Sequence, residues 1–423
     1  AALVDVPALL LVVGFVAGGS SACFGPRRVL RACAVGLGLE PRPTEDELAI
    51  RTAVRSICES FGPRYQRECH EAGQPPSELW NALAEGGYVG INVPEEWGGG
   101  GLGMTGLNIV GEEVAGAGQG TLMLVVSSGI AGSVLARHGT PEQKDRWLRG
   151  VAAGTTKLAF AITEPDAGTN SHNIRTELRP DGSGGYLLKG QKYYISGVED
   201  ADAVLVIARF RRDDGELGLP CMCIVDVDAP GFTRDVIPMP FLGADKQWTL
   251  YFDDVQVEAD RLVGSEESGL AVVFDGLNPE RIIVASLANG AARHAIEKAC
   301  AYASERTVWK APIGSHQAIA HPLAKAKVEL ELARLMTAKA AALYDAGAPE
   351  AGEVSNMAKY AAAEAVGHAV DAAIQTHGGN GVALEYGISD MWWMARLLRI
   401  APVSAEMVLN HVAQHTLGLP KSY

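Results

Sequence analysis

Positive charge is in short supply: 36 lysines and arginines stand against 50 aspartates and glutamates, for a net charge of −14. That balance excludes a general nucleic-acid surface, although a few local arginines or a helix N-terminus can still hold a phosphate. Long apolar runs are also missing. The most apolar stretch, AALVDVPALLLVVGFVAGG at the start, is short for a membrane span of ~20 residues and contains Asp5 and Pro7. No basic segment precedes it, which argues against a secretory signal, although the following GGSSAC faintly resembles a lipoprotein processing site. Arg27, Arg28 and Arg31 lend the next stretch a weak transit-peptide character. Residues 1–43 are read as a non-domain extension, such as a misplaced start would leave. Neither nucleic acid nor a membrane is expected as a partner.

Cysteine chemistry is sparse. Cys23, Cys33, Cys58, Cys69, Cys221, Cys223 and Cys300 are odd in number and scattered, and no second Cys or His group sits at zinc spacing. Buried free thiols in a reducing compartment are expected, with no metal site. What is present is apolar mass: 48% of the 423 residues are hydrophobic and mean hydropathy is +0.07. That suits a soluble globular chain of two or three packed units.

The hydrophobic period changes twice along the chain. From Thr44, which forms a capping-box pattern with Glu47, apolar residues recur on one helical face. SELWNALAEGG (77–87) reads as a helix ending in glycine, and TPEQKDRWL (140–148) as one opened by Thr140, Pro141 and Gln143. Between about 158 and 265 the period becomes two, with short strands in AFAI, YLLKGQKYYIS, AVLVIARF, CMCIVDV and LYFDDVQV. Helical runs follow at 280–306, 317–346, 353–377 and 402–416. The expected fold class is α+β, with an N-terminal α-helical domain (44–157), a middle β domain (158–268) and a C-terminal helical domain (269–423).

Four stretches, AFAITEPDAGTN (159–170), KYYISG (192–197), ERTVWKAPIGSHQAI (305–319) and QTHGGNGVALEY (375–386), occur in an order that resembles the acyl-CoA dehydrogenase family, a fifth being NPER (278–281). The resemblance runs from about Thr44 to the C-terminus. It implies a middle domain like a β-barrel, a C-terminal four-helix bundle and an FAD cofactor. By the same resemblance, Phe160, Ile162 and Thr163 lie against the flavin, with Thr169 near the acyl-CoA. Tyr194, Ile195 and Ser196 stand where the family usually has Trp-Ile-Thr beside the flavin; the hydroxyl is kept and the indole is not. Arg306, Trp309 and Gln317, with Gln375, Gly378 and Gly379, match positions that reach FAD, the first group in a neighbouring subunit. Arginine suits a pyrophosphate because its planar fork donates two hydrogen bonds at once. Glycine admits close backbone approach. His316 and His377 read as packing or loop histidines, and Trp392 and Trp393 as bundle core.

Asn278 and Pro279 look like a helix start, which would make Glu280 an ordinary first-turn acid. The family gives it a second reading. Its members carry the base that removes the thioester α-proton either near the C-terminus or, as in isovaleryl-CoA and long-chain members, just before an arginine on an earlier helix. The later position here is Pro402, in RIAPVSAEM, and the earlier one is Glu280, followed by Arg281. The resemblance thus implies Glu280 as base, with Asn278 and Arg281 at the substrate. Pro402 also lacks the backbone N–H that the family offers the thioester carbonyl. Either Val403 or another group supplies it, or the enzyme is slow.

The implied activity is α,β-desaturation of an acyl-CoA in fatty acid β-oxidation, tilted toward branched or longer chains. Electrons would pass to an electron-transfer flavoprotein. A homotetramer or dimer is expected, in the cytoplasm or the mitochondrial matrix of a eukaryote. The rivals are a flavin monooxygenase of the same fold, a non-catalytic subunit of a hetero-oligomeric dehydrogenase, and a carrier-protein thioester as substrate.

Overall fold

The computed structural model describes residues 43–212, 214–265 and 269–421. The extension read at the start of the chain, with Cys23 and Cys33, lies outside the described residues except for Pro43. Helix α1 (Glu45–Glu59) opens on a capping box: Thr44 Oγ1 accepts from the Glu47 N–H at 3.2 Å, and the Glu47 carboxylate accepts from the Thr44 N–H at 2.7 Å. Helices α2 (Tyr65–Ala72) and α3 (Ser77–Glu85) follow, then α4 (Gly103–Gly116), which is buried along nearly its whole length. A second capping box at Thr140 and Gln143 starts the last helical turns before the sheet.

Eight strands form the central sheet: β1 (Leu158–Ala161), β2 (Glu177–Pro180), β3 (Tyr186–Ser196), β4 (Ala203–Arg211), β5 (Leu217–Asp226), β6 (Phe232–Ile237), β7 (Gln247–Val257) and β8 (Leu262–Val263). Their order is β6-β7-β3-β2-β4-β5-β8, with β1 lying parallel to β4. Alternation on β5 divides its side chains between two cores. Met222 and Ile224 join the helical core, whereas Cys221, Cys223 and Val225 join the sheet's own. The two cysteines are buried on one face of the strand, their thiols donating to the Ala208 and Val206 carbonyls.

The C-terminal region is built on α5 (Gly269–Glu305), α6 (Gln317–Asp345) and α7 (Ala351–His377), followed by α8 (Met391–Leu397) and α9 (Ala405–His411). Helix α9 continues as a π-helical turn, Val412–Thr416. Helix α5 starts earlier than the sequence suggests, so Asn278 and Pro279 do not open it; Pro279 lies inside it. Tertiary packing overrides the local signal. Val272 and Val273 are buried, and a Cβ on Gly276 would stand 2.9 Å from Val134. Asn278 accepts from Arg281 Nη1 at 3.1 Å.

Helices α4 and α5 approach almost backbone to backbone. A Cβ on Gly290 would fall 2.3 Å from the Glu112 carbonyl oxygen, so glycine is required there. One apolar core consequently runs from Val54 in α1 through α5 to Leu398. Among the described residues no helix is long and apolar enough to cross a membrane.

Candidate active site

Buried carboxylates in this fold differ in what holds them. Glu113, fully buried on α4, takes hydrogen bonds from Arg51 (2.7 Å), Arg55 (2.8 Å) and Arg293 (2.7 Å). Burial alone would raise its carboxyl, but hydrogen bonds and charge from Arg293, then Arg55 and Arg51, win and hold it at about 2. Its neighbour Glu112 pairs with Arg51 at 3.3 Å and Arg334 at 2.8 Å. These acids are spoken for.

Glu280 is different. It is partly buried on α5, and among the described residues its carboxylate has no hydrogen bond and no ion pair within 4 Å. Burial pushes it up to about 7, against the opposing charges of Arg281 and Lys359. Lys359, on α7, is only 1% exposed. Its ammonium, pulled down to about 8 by burial and held up by Glu280, donates to the Val403 carbonyl. The residue after Pro402 is thereby linked to Glu280 through Lys359. Among the described residues the Val403 N–H has no acceptor.

A second surface forms where β1 meets β3. Phe160 and Ile195 are buried in the sheet, Ile162 and Thr163 are half-buried, and Thr169 is exposed. The Tyr193 N–H donates to the Thr163 carbonyl at 2.9 Å. Lys192, wholly buried, donates to the Ile162 carbonyl at 3.0 Å and to Glu164 at 2.9 Å, and Glu164 in turn accepts the Arg175 and Thr176 N–H groups. That network fixes the loop after β1. Tyr194 sits at φ 59°, a left-handed conformation that a tyrosine adopts only under constraint, and half its surface is exposed. The Ser196 hydroxyl exchanges hydrogen bonds with Gln247 at 2.9 and 3.1 Å.

The remaining sequence candidates gather at the far end of the bundle. Arg306, Gln317 and Gln375 are exposed and have no side-chain partner among the described residues, and Trp309 is 85% exposed at φ 48°. Gly378 has φ 58°, and neither it nor Gly379 has any atom within 4 Å of where a Cβ would stand, so both border open space. His377 is buried, binds the Ala373 carbonyl at 2.8 Å and stacks on Tyr302, in keeping with a packing role.

A cavity of about 1090 Å³, its open mouth included, runs between α2, the loops at 118–122 and 241–245, α5, α7 and α8. Its α5 wall is Val284, Leu287, Ala291, His294 and Lys298. Glu280 lies one turn before Val284 on the same helical face. The α8 side presents Leu398 and Met394 at one end and Asp390 at the other.

The long helix α5, which carries Glu280, packs against the sheet and against the other bundle helices. The chain belongs to the acyl-CoA dehydrogenase family, matching its N-terminal domain over residues 44–155, its middle domain over 159–255 and its C-terminal domain over 267–417. It is an oxidoreductase of that family. Acyl-CoA dehydrogenase FadE12 of Mycobacterium tuberculosis is 50% identical over 381 residues, which is 90% of this chain and 98% of the relative. Among solved structures, the glutaryl-coenzyme A dehydrogenase glutaryl-CoA complex superposes with a TM-score of 0.83 at 27% identity, covering 90% of this chain and 97% of that one. A glutaryl-CoA dehydrogenase from Mycobacterium smegmatis in complex with FADH2 gives 0.82 at 26% identity, over 90% and 96%.

Sequence reasoning did not find Lys192, Lys359 or the cavity. Both lysines are unremarkable in their local strings, KGQKYY and NMAKYA. Only the fold shows them fully buried, where an ammonium is rare unless paired.

Proposed function

We propose that this chain is an FAD-dependent dehydrogenase that desaturates an acyl-CoA thioester between its α and β carbons, with Glu280 taking the α-proton. The observation that carries the reading is the state of Glu280: a partly buried carboxyl raised to about 7, free of the ion pairs that hold the buried Glu112, Glu113 and Glu164. A thioester α-proton needs a base far stronger than an exposed carboxylate, and desolvation supplies part of that strength. Lys359 holds the ionised form in reach at neutral pH and fixes the Val403 carbonyl. The Val403 N–H, free of an acceptor, is our candidate for the donor to the thioester oxygen that Pro402 lacks. One such donor is worth about 3 kcal/mol of transition-state stabilisation. Arg281, held by Asn278, borders the base, and Thr169 would meet the substrate from the opposite loop.

The residues fit FAD. The loop from Phe160 to Thr163, fixed by Lys192 and joined by Ser196, would bear on the flavin. Gly378 and Gly379 leave a cradle that a side chain would fill. Arg306, Trp309 and Gln317 would reach the cofactor of a neighbouring copy; the exposure of all three, and the lack of side-chain partners for Arg306 and Gln317 among the described residues, support that role. When bound, FAD accepts the β-hydrogen as hydride. Such a shared site requires a homo-oligomer. The stripe Val328, Leu332 and Leu335 on α6, 61%, 63% and 66% exposed at helical spacing, suits an interface between copies. The earlier-helix base favours branched or longer acyl chains, and an electron-transfer flavoprotein would collect the electrons. Free thiols at Cys58 and Cys223 suit a reducing cytoplasm.

The test is an anaerobic titration of FAD-loaded protein with straight and branched acyl-CoAs, following flavin absorbance. Bleaching that vanishes in Glu280→Gln with FAD content intact is the expected result. Bleaching that persists in the variant would place the base elsewhere. No bleaching with any thioester would favour a non-catalytic subunit or an oxygen-using enzyme.

A further inference from the structure

Two walls of the cavity change character in the same direction. Along α5 the lining passes from Val284, Leu287 and Ala291 to His294 and Lys298. Along α8 it passes from Leu398 and Met394 back to Asp390. The apolar ends coincide at the base: Leu398 leads into Pro402 and Val403, whose carbonyl Lys359 holds, and Glu280 precedes Val284 by one turn. The polar ends also coincide, because Lys298 feels the Asp390 charge and donates to the Tyr386 carbonyl at 2.9 Å. A chain entering from Glu280 therefore passes greasy walls and then meets polar ones.

The polar end holds donors and acceptors without partners. Gln66, 7% exposed, uses its amide oxygen to accept from the Ala244 N–H at 3.3 Å, which fixes the amide's orientation and leaves Nε2 buried with nothing to donate to. Gln119, 2% exposed, donates to the Gly62 carbonyl at 2.8 Å and leaves its Oε1 buried without a donor. His294 Nδ1 lies 3.2 Å from the Gly116 carbonyl, which can only accept, so Nδ1 carries the proton and Nε2 is an acceptor. That nitrogen has no partner among the described residues. Burial, with the Lys298 charge, pulls His294 down to about 4, so the ring is neutral at working pH.

An alkyl terminus would leave all three atoms unsatisfied, and a carboxylate, although Lys298 could pair with it, would have no proton to give to His294 or Gln119. A hydroxyl can do both things required, accepting from the Gln66 amide and donating to His294 or Gln119. Resting on the dehydrogenase reading above, we infer that this cavity takes the distal part of a long acyl chain and that its polar end selects chains bearing a hydroxyl near their far terminus. The helix gives the length. Glu280 and His294 lie about 21 Å apart along the axis, at ~1.5 Å per residue. An extended acyl chain, advancing roughly 1.3 Å for each C–C bond of ~1.5 Å, spans that distance with about sixteen carbons.

Equilibrium binding separates this inference from the chemistry. FAD-loaded Glu280→Gln protein, which should not turn over, would be titrated calorimetrically with hexadecanoyl-CoA, ω-hydroxyhexadecanoyl-CoA and the CoA monothioester of hexadecanedioic acid. The expected order is the hydroxylated chain about tenfold tighter than the plain one, the yield of a buried hydrogen bond at the upper end of its usual range. In His294→Leu and Gln66→Leu the advantage should fall to about twofold or less. Equal binding of the first two ligands overturns the inference while leaving the desaturase reading intact, as does tighter binding of the carboxylate-ended chain. Binding by none of the three overturns it too. A flavin that fails to bleach with the wild-type protein would sink the desaturase reading alone, because the binding order is measured without turnover.

Discussion

Lys359 and Val403 are joined by a hydrogen bond from a buried ammonium to a backbone carbonyl, and the same ammonium reaches Glu280 with its charge. One side chain therefore governs both how easily Glu280 ionises and where the backbone beside Pro402 stands.

Lys359→Met should separate these effects. With the positive charge gone, the Glu280 carboxyl rises further, and the rising limb of the pH profile for flavin reduction should move upward by about one pH unit. The Val403 carbonyl loses its donor, which costs about 1–3 kcal/mol if no water replaces it. Stopped-flow reduction rates between pH 6 and 9, with a denaturation curve alongside, would show both. A profile that stays in place would mean that the lysine acts through Val403 alone.

Stability should also carry the signature of Glu280. Its folded value, about 7, lies above its ordinary 4.5. The folded state therefore holds the proton more tightly, and its contribution is fully present below about 4.5 and lost as pH rises through 7. Relative to Glu280→Gln, the wild-type chain should weaken from pH 5 to pH 8 by on the order of 2 kcal/mol, allowing for its partial exposure. Urea midpoints of both proteins across that range would test it, and parallel curves would contradict it.

The arginine-bound glutamate should behave in the opposite way. Glu113, held at about 2, stabilises the fold above its ordinary value of 4.5 and loses that contribution as pH falls toward 2. Glu113→Gln leaves Arg55 without a carboxylate and Arg51 and Arg293 with Glu112 alone, and should cost about 3–5 kcal/mol. The loss should appear at pH 7 and shrink in acid. Calorimetric melting at pH 7 and at about pH 2.5 would decide it.

Arg306→Ala tests the shared cofactor site. The side chain is exposed and unpaired within the chain, so the melting of the apoprotein should change by less than about 0.5 kcal/mol. FAD retention after gel filtration should fall at least tenfold, as expected when a charge-assisted contact to a phosphate is removed. Full retention would remove Arg306 from the cofactor site.

Much of the fold was legible because it rests on local periodicity. The string YLLKGQKYYIS coincides with β3, and the Thr44 and Thr140 caps stand where the capping-box pattern puts them. Glu280 could be nominated because a proline occupies the alternative position, a contrast visible without coordinates. What stayed hidden depends on residues far apart in sequence. Lys192 reaches Ile162 across 30 residues, and Lys359 reaches Val403 across 44. Neither neighbourhood announces a buried ammonium. The helix start failed for the same reason: Asn278 and Pro279 are a sound local signal, overruled by packing of the preceding turns against Val134. The polar end of the cavity needed the hydrogen-bond partners of Gln66 and His294, which no pattern of letters contains.

The single core that α1 and α4 share with α5 has a consequence for how the molecule is made. Glu113 leaves the ribosome 180 residues before Arg293, the partner that does most to hold it ionised. At ~5–20 residues per second that interval lasts roughly 10–40 s. Throughout it the first helices have no α5 to pack against, while the strands emerging behind them can already pair. Synthesis thus runs from a waiting half, through a sheet able to close on itself, to the helix that gathers both. Nascent chains halted before α5 should be digested readily around α4, and those extended past Arg293 should resist.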